Sequence, residues 1–352
     1  MPRSRSASPT RCAATIPVCA ERRALGRTSL DRMETRSLRP SGIHTSVIGL
    51  GANNFGRRVD LAQTRAVIDA ALEEGVTFID TADSYGRGLS EEYLGEVLEG
   101  RRDQVVVATK FGMDMGDGKG PRGSRDYILQ AVEASLRRLR TDVIDIYWYH
   151  RPDGVTPIAE TLEALDELVR AGSVRAVGAS NFDAAQIEEA DTTARERGLT
   201  PFTAIQNEYS LLFREAEGDA LPACERLGLG FVPFFPLASG LLTGKYRAGE
   251  AGPEGARLSG RDQIATDAQF ALIAALQGYA DAQGVSLLDV AIGALLANET
   301  VSSVIAGATR PDQVQANAAA ARWRPVAQDL AELRMLLAPT RSDQAVTGCR
   351  AA

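Results

Sequence analysis

Four side chains in this sequence are of types that together could deliver a proton to a carbonyl oxygen: Asp80, Tyr85, Lys110 and His150. A free phenol has a pKa of about 10 and is a poor donor at neutral pH. A nearby ammonium favours the phenolate and lowers that pKa. A carboxylate beside the ammonium orients it and offsets the cost of burying it. A neutral histidine next to the phenol helps place a carbonyl oxygen between the two. On this reading Asp80 holds Lys110, Lys110 tunes Tyr85, and Tyr85 is a general acid aimed at a C=O. Such a set protonates an alkoxide but supplies no electrons, so carbonyl reduction also requires a hydride donor such as a nicotinamide. Each residue alone has a plainer reading as a turn cap, a snorkelling lysine, a loop aromatic or a turn histidine. Their occurrence together at successive strand ends is what points to chemistry.

The elements that must position them follow a regular rhythm. Strand-like runs occur at 46–51, 76–80, 104–110, 143–150, 173–180, 202–209, 229–235 and 302–307. Amphipathic helical runs separate them, as at 61–75, 127–140 and 158–172. In the last, Ile158, Leu162, Leu165, Leu168 and Val169 recur on one helix face. Gly75 and Gly172 stand where C-caps would, and Asp126 where an N-cap would. Buried strands alternating with helices predict a parallel sheet with right-handed crossovers. Eight such units predict a (β/α)8 TIM barrel in preference to an open doubly wound sheet. A short capping hairpin containing His44 precedes strand one. The glycine-rich stretch 238–264 predicts a long loop after strand seven, followed by two helices near 266–283 and 286–298.

In such a barrel, reactive groups gather at the C-terminal ends of the strands. Beyond Asp80, Lys110 and His150, those ends carry Asn53, Ser180, Asn181, Gln206, Phe234, Phe235 and the segment Gly307–Arg310. Ser180, Asn181 and Gln206 can hydrogen-bond a carboxamide, and Phe234 can stack on a nicotinamide ring. The helix opening at Arg310–Pro311 offers a phosphate site. Two glycine motifs are decoys. GLGANNFG (49–56) has Asn54 where a dinucleotide fingerprint needs glycine, and SGLLTGKY (239–246) spaces its glycines too closely for a phosphate loop.

Bulk properties narrow the classes. The chain has 352 residues and a net charge of −7, which argues against a general nucleic-acid binder. No apolar run reaches the roughly 18 residues of a membrane span. Cys12, Cys19, Cys224 and Cys349 show no metal-ligand spacing, so no metal site is expected and a reducing, cytoplasmic location fits. Residues 1–32 are rich in Arg, Ser and Ala and read as a disordered leader, an upstream start extension or a transit peptide. The barrel is assigned to 33–352, with a C-terminal tail from about 324. The run REAEGD (214–219) reads as a solvated face.

GLGANNFG, FIDTADSYG, VVVATKFG, YWYHRPD, GASNF, QNEYSLL, PFFPLASGLLTGKY and GATRPDQVQAN occur here in an order that resembles the aldo-keto reductases. The resemblance covers about Met33 to Trp323 and is nearest the bacterial aldo/keto reductases and the barrel of potassium-channel β subunits. It implies reversible reduction of aldehydes or ketones with NADPH, and a catalytic tetrad on Asp80, Tyr85, Lys110 and His150. It implies cofactor contacts from Gly51, Ala52, Asn53, Asp80, Ser180, Asn181, Gln206, Phe234, Phe235, Pro236 and Leu237. Further contacts fall on Ser239, Leu241, Lys245, Gly307, Thr309, Arg310, Gln313 and Asn317. Phe234 replaces the Tyr or Trp usual at the ring-stacking position. Gln313 and Ala316 replace an Arg and a Glu that some members place near the 2′-phosphate, which leaves NADH open. The substrate wall is expected from Asn54, Phe55, Tyr85, Trp148 and His150, and an apolar pocket with Phe55, Trp148 and Phe235 would suit aromatic or hydrophobic carbonyls. Arg257 could reach the cofactor phosphate or stand in solvent. A slow redox-sensing regulatory subunit and a Schiff-base aldolase acting through Lys110 are the alternatives. Oligomeric state and the particular substrate are not encoded in any motif.

Overall fold

The computed structural model describes residues 33–260 and 264–338; the leader 1–32, three of the four cysteines and the chain beyond 338 lie outside them. An antiparallel hairpin of β1 (Thr35–Leu38) and β2 (Ile43–Ser46) comes first. Eight strands follow: β3 (Ile48–Gly51), β4 (Phe78–Asp80), β5 (Val106–Phe111), β6 (Ile144–Tyr149), β7 (Val174–Ser180), β8 (Ala204–Gln206), β9 (Gly230–Phe231) and β10 (Val304–Gly307). They form one parallel sheet in the order β10-β3-β4-β5-β6-β7-β8-β9. Parallel bridges from Phe231 to Val301 and from Phe234 to Ile305 close the sheet between β9 and β10. The result is the expected (β/α)8 barrel. β9 is shorter than its apolar run because Pro233 and Pro236 cannot donate to a ladder.

Side-chain alternation along the strands makes two cores. Phe78, Ala108, Ile146, Trp148, Ala176, Ala204, Val232 and Ile305 fill the barrel. Their neighbours Val107, Tyr147, Tyr149, Val177 and Ile205 face the surrounding helices. Gly178 is glycine because Trp148 lies across it: a β-carbon there would sit 2.3 Å from the indole. The β1–β2 hairpin closes the barrel floor, adding Leu38 and Ile43 to the inner core. His44 is exposed on this hairpin, away from the site residues.

Helices α1 (Leu61–Glu73), α2 (Leu89–Val97), α3 (Arg125–Leu139), α4 (Ile158–Ala171), α5 (Ala184–Arg197) and α6 (Ala220–Leu227) follow the first six barrel strands. After β9 come the long loop, α7 (Asp267–Gln283) and α8 (Leu287–Leu296); α9 (Pro311–Ala320) follows β10, and α10 (Ala327–Leu336) ends the described chain. Asp60 with Gln63, Asp183 with Gln186 and Thr266 with Gln269 form capping boxes. Gly172 caps α4 at φ 79°, while Gly75, at φ 76°, stands one residue past its cap, Glu74. The expectation for Asp126 is corrected: Ser124 is the N-cap of α3, and Asp126 stands in the first turn, where its charge suits the helix dipole. No single described helix is long and apolar enough to cross a membrane; only α7 and α8 together pass that test, and they are bent by 93°.

Candidate active site

Strand alternation turns Asp80 on β4 and Lys110 on β5 into the barrel, where both are buried. Register places Asp80 opposite Ala108, so Lys110 reaches across from one residue pair above. Its ammonium pairs with Asp80 Oδ2 and donates to the Thr81 carbonyl at 2.8 Å and to Tyr85 Oη at 3.3 Å. Gln206 on β8 donates through Nε2 to Asp80 Oδ1 at 2.8 Å. Both Asp80 oxygens are thus held, and the ammonium stands between the carboxylate and the phenol.

The electrostatics agree in part with the sequence reading. Burial alone would lower the Lys110 pKa, but the Asp80 carboxylate and the Tyr85 phenol reverse this, and the balance is upward. Lys110 therefore stays an ammonium. Burial pushes the Tyr85 phenol up, and Lys110 pulls it down without cancelling the rise. The expectation of a net lowered phenol is corrected: desolvation outweighs the ammonium. Tyr85 is a fully protonated donor at neutral pH, and Lys110 favours its phenolate relative to an equally buried phenol with no cation.

His150 follows β6, with its ring 6.0 Å from that of Tyr85 at 82°. Its backbone N–H donates to Phe111 O at 2.8 Å, and its carbonyl accepts from Asn181 Nδ2 at 2.9 Å. Burial, Lys110 and Arg151 lower its pKa to about 2, so the imidazole is neutral. Its Nδ1 is buried with no hydrogen-bond partner among the described residues.

These groups open onto a cavity of about 920 Å³ at the C-terminal end of the barrel. Its wall includes Gly51, Asn53, Asn54, Asp80, Tyr85, His150, Ser180, Asn181, Gln206 and Phe234–Leu237. It continues through Ser239 and Lys245 to Gly307, Thr309, Arg310, Gln313 and Asn317. A volume of this order suits a dinucleotide with a small substrate at one end.

Several groups could hold such a cofactor. Asn181, in the left-handed region at φ 60°, donates from its Nδ2 to Ser180 Oγ at 3.1 Å as well as to His150. Phe234 and Phe235 meet edge to face, and the Arg257 guanidinium lies 4.6 Å above the Phe235 ring. At the far end, Gln313 Oε1 accepts from the Thr309 N–H at 2.7 Å. Arg310 holds Asp312 in an exposed pair at 2.9 Å, the kind that is easily exchanged for another anion.

Five expected site residues lie behind the wall. Lys110 acts through its Nζ at Tyr85. Ala52, Phe55, Leu241 and Trp148 are buried and do not face the cavity. The assignment of Phe55 and Trp148 to a substrate wall is corrected: Phe55 packs in the outer core and Trp148 in the inner one. Conversely, Arg57, Arg58, Met113 and Arg151 line the cavity and were not singled out from the sequence. Asn207 was also missed. Its Oδ1 accepts from the Asn181 N–H at 2.8 Å and its Nδ2 donates to Phe182 O at 2.8 Å, fixing the unusual backbone of Asn181. A second amide directly after a strand-end glutamine was the available signal.

Residues 47–338 match the model of the aldo/keto reductase family. The chain belongs to that family. It is 36% identical to the aldo-keto reductase YhdN of Bacillus subtilis over 323 residues, covering 88% of this chain and 96% of the relative. It is 35% identical to a probable voltage-gated potassium channel subunit beta of Arabidopsis thaliana over 299 residues, 81% of this chain and 90% of that one. It is 33% identical to the L-glyceraldehyde 3-phosphate reductase of Escherichia coli over 301 residues, 81% of this chain and 87% of that one. As an aldo/keto reductase, the protein is an NAD(P)H-dependent oxidoreductase.

Proposed function

We propose that this aldo/keto reductase converts aldehydes or ketones to alcohols reversibly, taking the hydride from NADPH and the proton from Tyr85. The observation that carries the reading is the contact chain from Asp80 through Lys110 to Tyr85 Oη. NADPH supplies the hydride when bound. Tyr85 donates its phenolic proton to the carbonyl oxygen as the alkoxide forms, and Lys110 meets the phenolate left behind. Neutral His150, which lines the cavity beside Tyr85, orients the substrate oxygen. Ser180, Asn181, Gln206 and Phe234 line the cavity; the first three would hold the carboxamide, and Phe234 would stack on the ring. Ser239, Lys245 and Arg257 from the long loop, with Arg310, Gln313 and Asn317 of the last barrel unit, line the same cavity and would hold the phosphates and the adenosine. The preference for NADPH over NADH rests on this run of cations.

Two relatives carry names of potassium channel β subunits, which keeps a slow regulatory oxidoreductase as the second reading. A Schiff-base aldolase is disfavoured, because a lysine held as an ammonium by Asp80 is not nucleophilic. The experiment is a panel of simple aldehydes and ketones with NADPH and with NADH. Turnover in the ordinary range of about 1–10³ per second, with NADPH preferred, is expected. Turnover far below about 0.01 per second on every member would favour the regulatory reading over catalysis.

A further inference from the structure

The chain is acidic overall, at −7, yet its cavity wall is basic. Arg57, Arg58, Arg151, Lys245, Arg257 and Arg310 face the cavity; the carboxylates there are Asp80, already neutralised by Lys110, and Glu254. A dinucleotide's phosphates account for the cations at the loop and α9 end. They do not account for Arg57 and Arg151, which line the cavity from the loops after β3 and β6.

Arg57 stands on the turn after β3, and that turn packs directly on the one carrying Tyr85. A β-carbon at Gly86 would lie 3.1 Å from the Phe55 carbonyl oxygen and 3.3 Å from the carbonyl carbon of Gly56. The turn itself is fixed by Asn54, whose carbonyl accepts from the N–H groups of Arg57 at 3.2 Å and Arg58 at 2.9 Å. Arg151 follows His150, whose ring meets that of Tyr85 edge to face, and its charge is felt by the imidazole. Two guanidinium groups therefore line the cavity from two different strand-end loops, one packed on the turn that carries Tyr85 and one next to His150.

Many of the other described arginines pair with carboxylates, as Arg101 does with Asp69, Arg138 with Glu91, Arg175 with Asp145 and Arg226 with Glu188. The guanidinium groups of Arg57 and Arg151 have neither a hydrogen-bond acceptor nor an ion-pair partner among the described residues. Arg58, their neighbour on the wall, donates to the Gly255 carbonyl and ties the long loop to this turn. Of the three aromatic side chains expected to suit apolar substrates, Phe55 and Trp148 are buried behind the wall, and Phe235 lines it with the Arg257 guanidinium over its ring.

We propose that the carbonyl substrate carries an anionic group, a phosphate or a carboxylate, received by Arg57 and Arg151 while the carbonyl lies at Tyr85 and His150. A planar guanidinium suits either anion through paired N–H···O bonds. The basic mouth in an acidic protein also draws anions in ahead of neutral carbonyls. This inference rests on the reductase reading.

The test uses matched pairs of aldehydes with NADPH: glyceraldehyde 3-phosphate against glyceraldehyde, succinic semialdehyde against butanal, and 4-carboxybenzaldehyde against 4-methylbenzaldehyde. The charged member of at least one pair is expected to have the higher kcat/KM by about ten- to hundredfold, the range of a charged hydrogen bond. The phosphate and carboxylate pairs separate the two anions. In Arg57→Ala and Arg151→Ala that ratio should collapse through KM, while the NADPH dissociation constant, read by fluorescence titration, stays as in the wild type. Neutral members turning over with ratios at or below one in every pair would overturn the anion inference and leave the reductase standing. Ratios unchanged in both variants would overturn the assignment to these arginines. No turnover of any carbonyl with either cofactor would bring down the reductase reading and this inference with it.

Discussion

The two ends of the barrel are made by the same eight strands and are put to opposite uses. At the N-terminal end, Leu38 and Ile43 of the hairpin plug the interior. There Ser46 Oγ accepts from the N–H groups of Thr77 at 3.0 Å and Phe78 at 3.1 Å. Arg36 holds the carbonyls of Val301 at 2.8 Å and Leu296 at 2.9 Å. At the C-terminal end the interior positions carry Asp80, Lys110, Ser180 and Gln206 instead of apolar groups. Backbone strain is divided in the same way. Of the six non-glycine residues at positive φ among the described residues, Arg87, Asn181, Phe235, Ala238 and Ser239 belong to loops on the site side, and Arg140 caps the C-terminus of α3. Most of the strained backbone, and the buried Asp80–Lys110 pair, lie where the chemistry is, and the opposite end supplies stability that tolerates them.

This contrast can be broken from either side. The largest effect should come from Lys110→Met, which removes the ammonium and leaves Asp80 buried and uncompensated. Breaking a buried pair in this way costs about 3–5 kcal/mol, measurable by urea unfolding, and the reductase rate should fall with it. Next, Leu38→Ala opens a hole in the floor and should cost about 2–5 kcal/mol. Its kcat per folded molecule should match the wild type; a large fall in kcat would mean that the two ends are coupled.

A subtler effect concerns Asp83, three residues past Asp80. Burial, with repulsion from Glu91, raises its pKa to about 7, and its Oδ1 has no hydrogen-bond partner among the described residues. The groups facing it are Glu91 on α2, Arg138 and Tyr127 on α3, Lys110 on β5 and Tyr147 on β6. A carboxyl whose folded pKa lies above its unfolded one stabilises the fold at low pH. That contribution is lost as pH rises from about 4 through 7, and it amounts to about 4 kcal/mol at most. Asp83→Asn should therefore raise Tm at pH 8 and change it little at pH 4.5, which thermal melts at the two pH values would read. The smallest effect is a flat one. Because His150 is already neutral, the kcat/KM profile for reduction should show no leg near pH 6.5; an ionisation there assigned to His150 would place the imidazole in a wetter site than this.

Much of this was legible before folding. Alternation along a strand says which residues face inward, so Asp80, Lys110 and Gln206 could be placed together from strand ends alone. The same rule says nothing about depth. Trp148 faces inward as alternation requires, but lies below the cavity, across Gly178. Nor does it describe loops. Arg57 and Arg151 reach the cavity because of turns whose shape depends on contacts distant in sequence, such as that of Gly56 with Gly86. The direction in which the Tyr85 pKa moves escapes the sequence for a related reason: the ammonium is visible there, while the burial that outweighs it is a property of the assembled barrel.

The central claim is that Tyr85 gives the proton. Its most direct test is single-turnover NADPH oxidation by Tyr85→Phe with a saturating aldehyde, alongside a fluorescence titration of the cofactor. The account predicts a rate reduced by about 10²–10⁴-fold with NADPH binding preserved. A wild-type rate in that variant would contradict it.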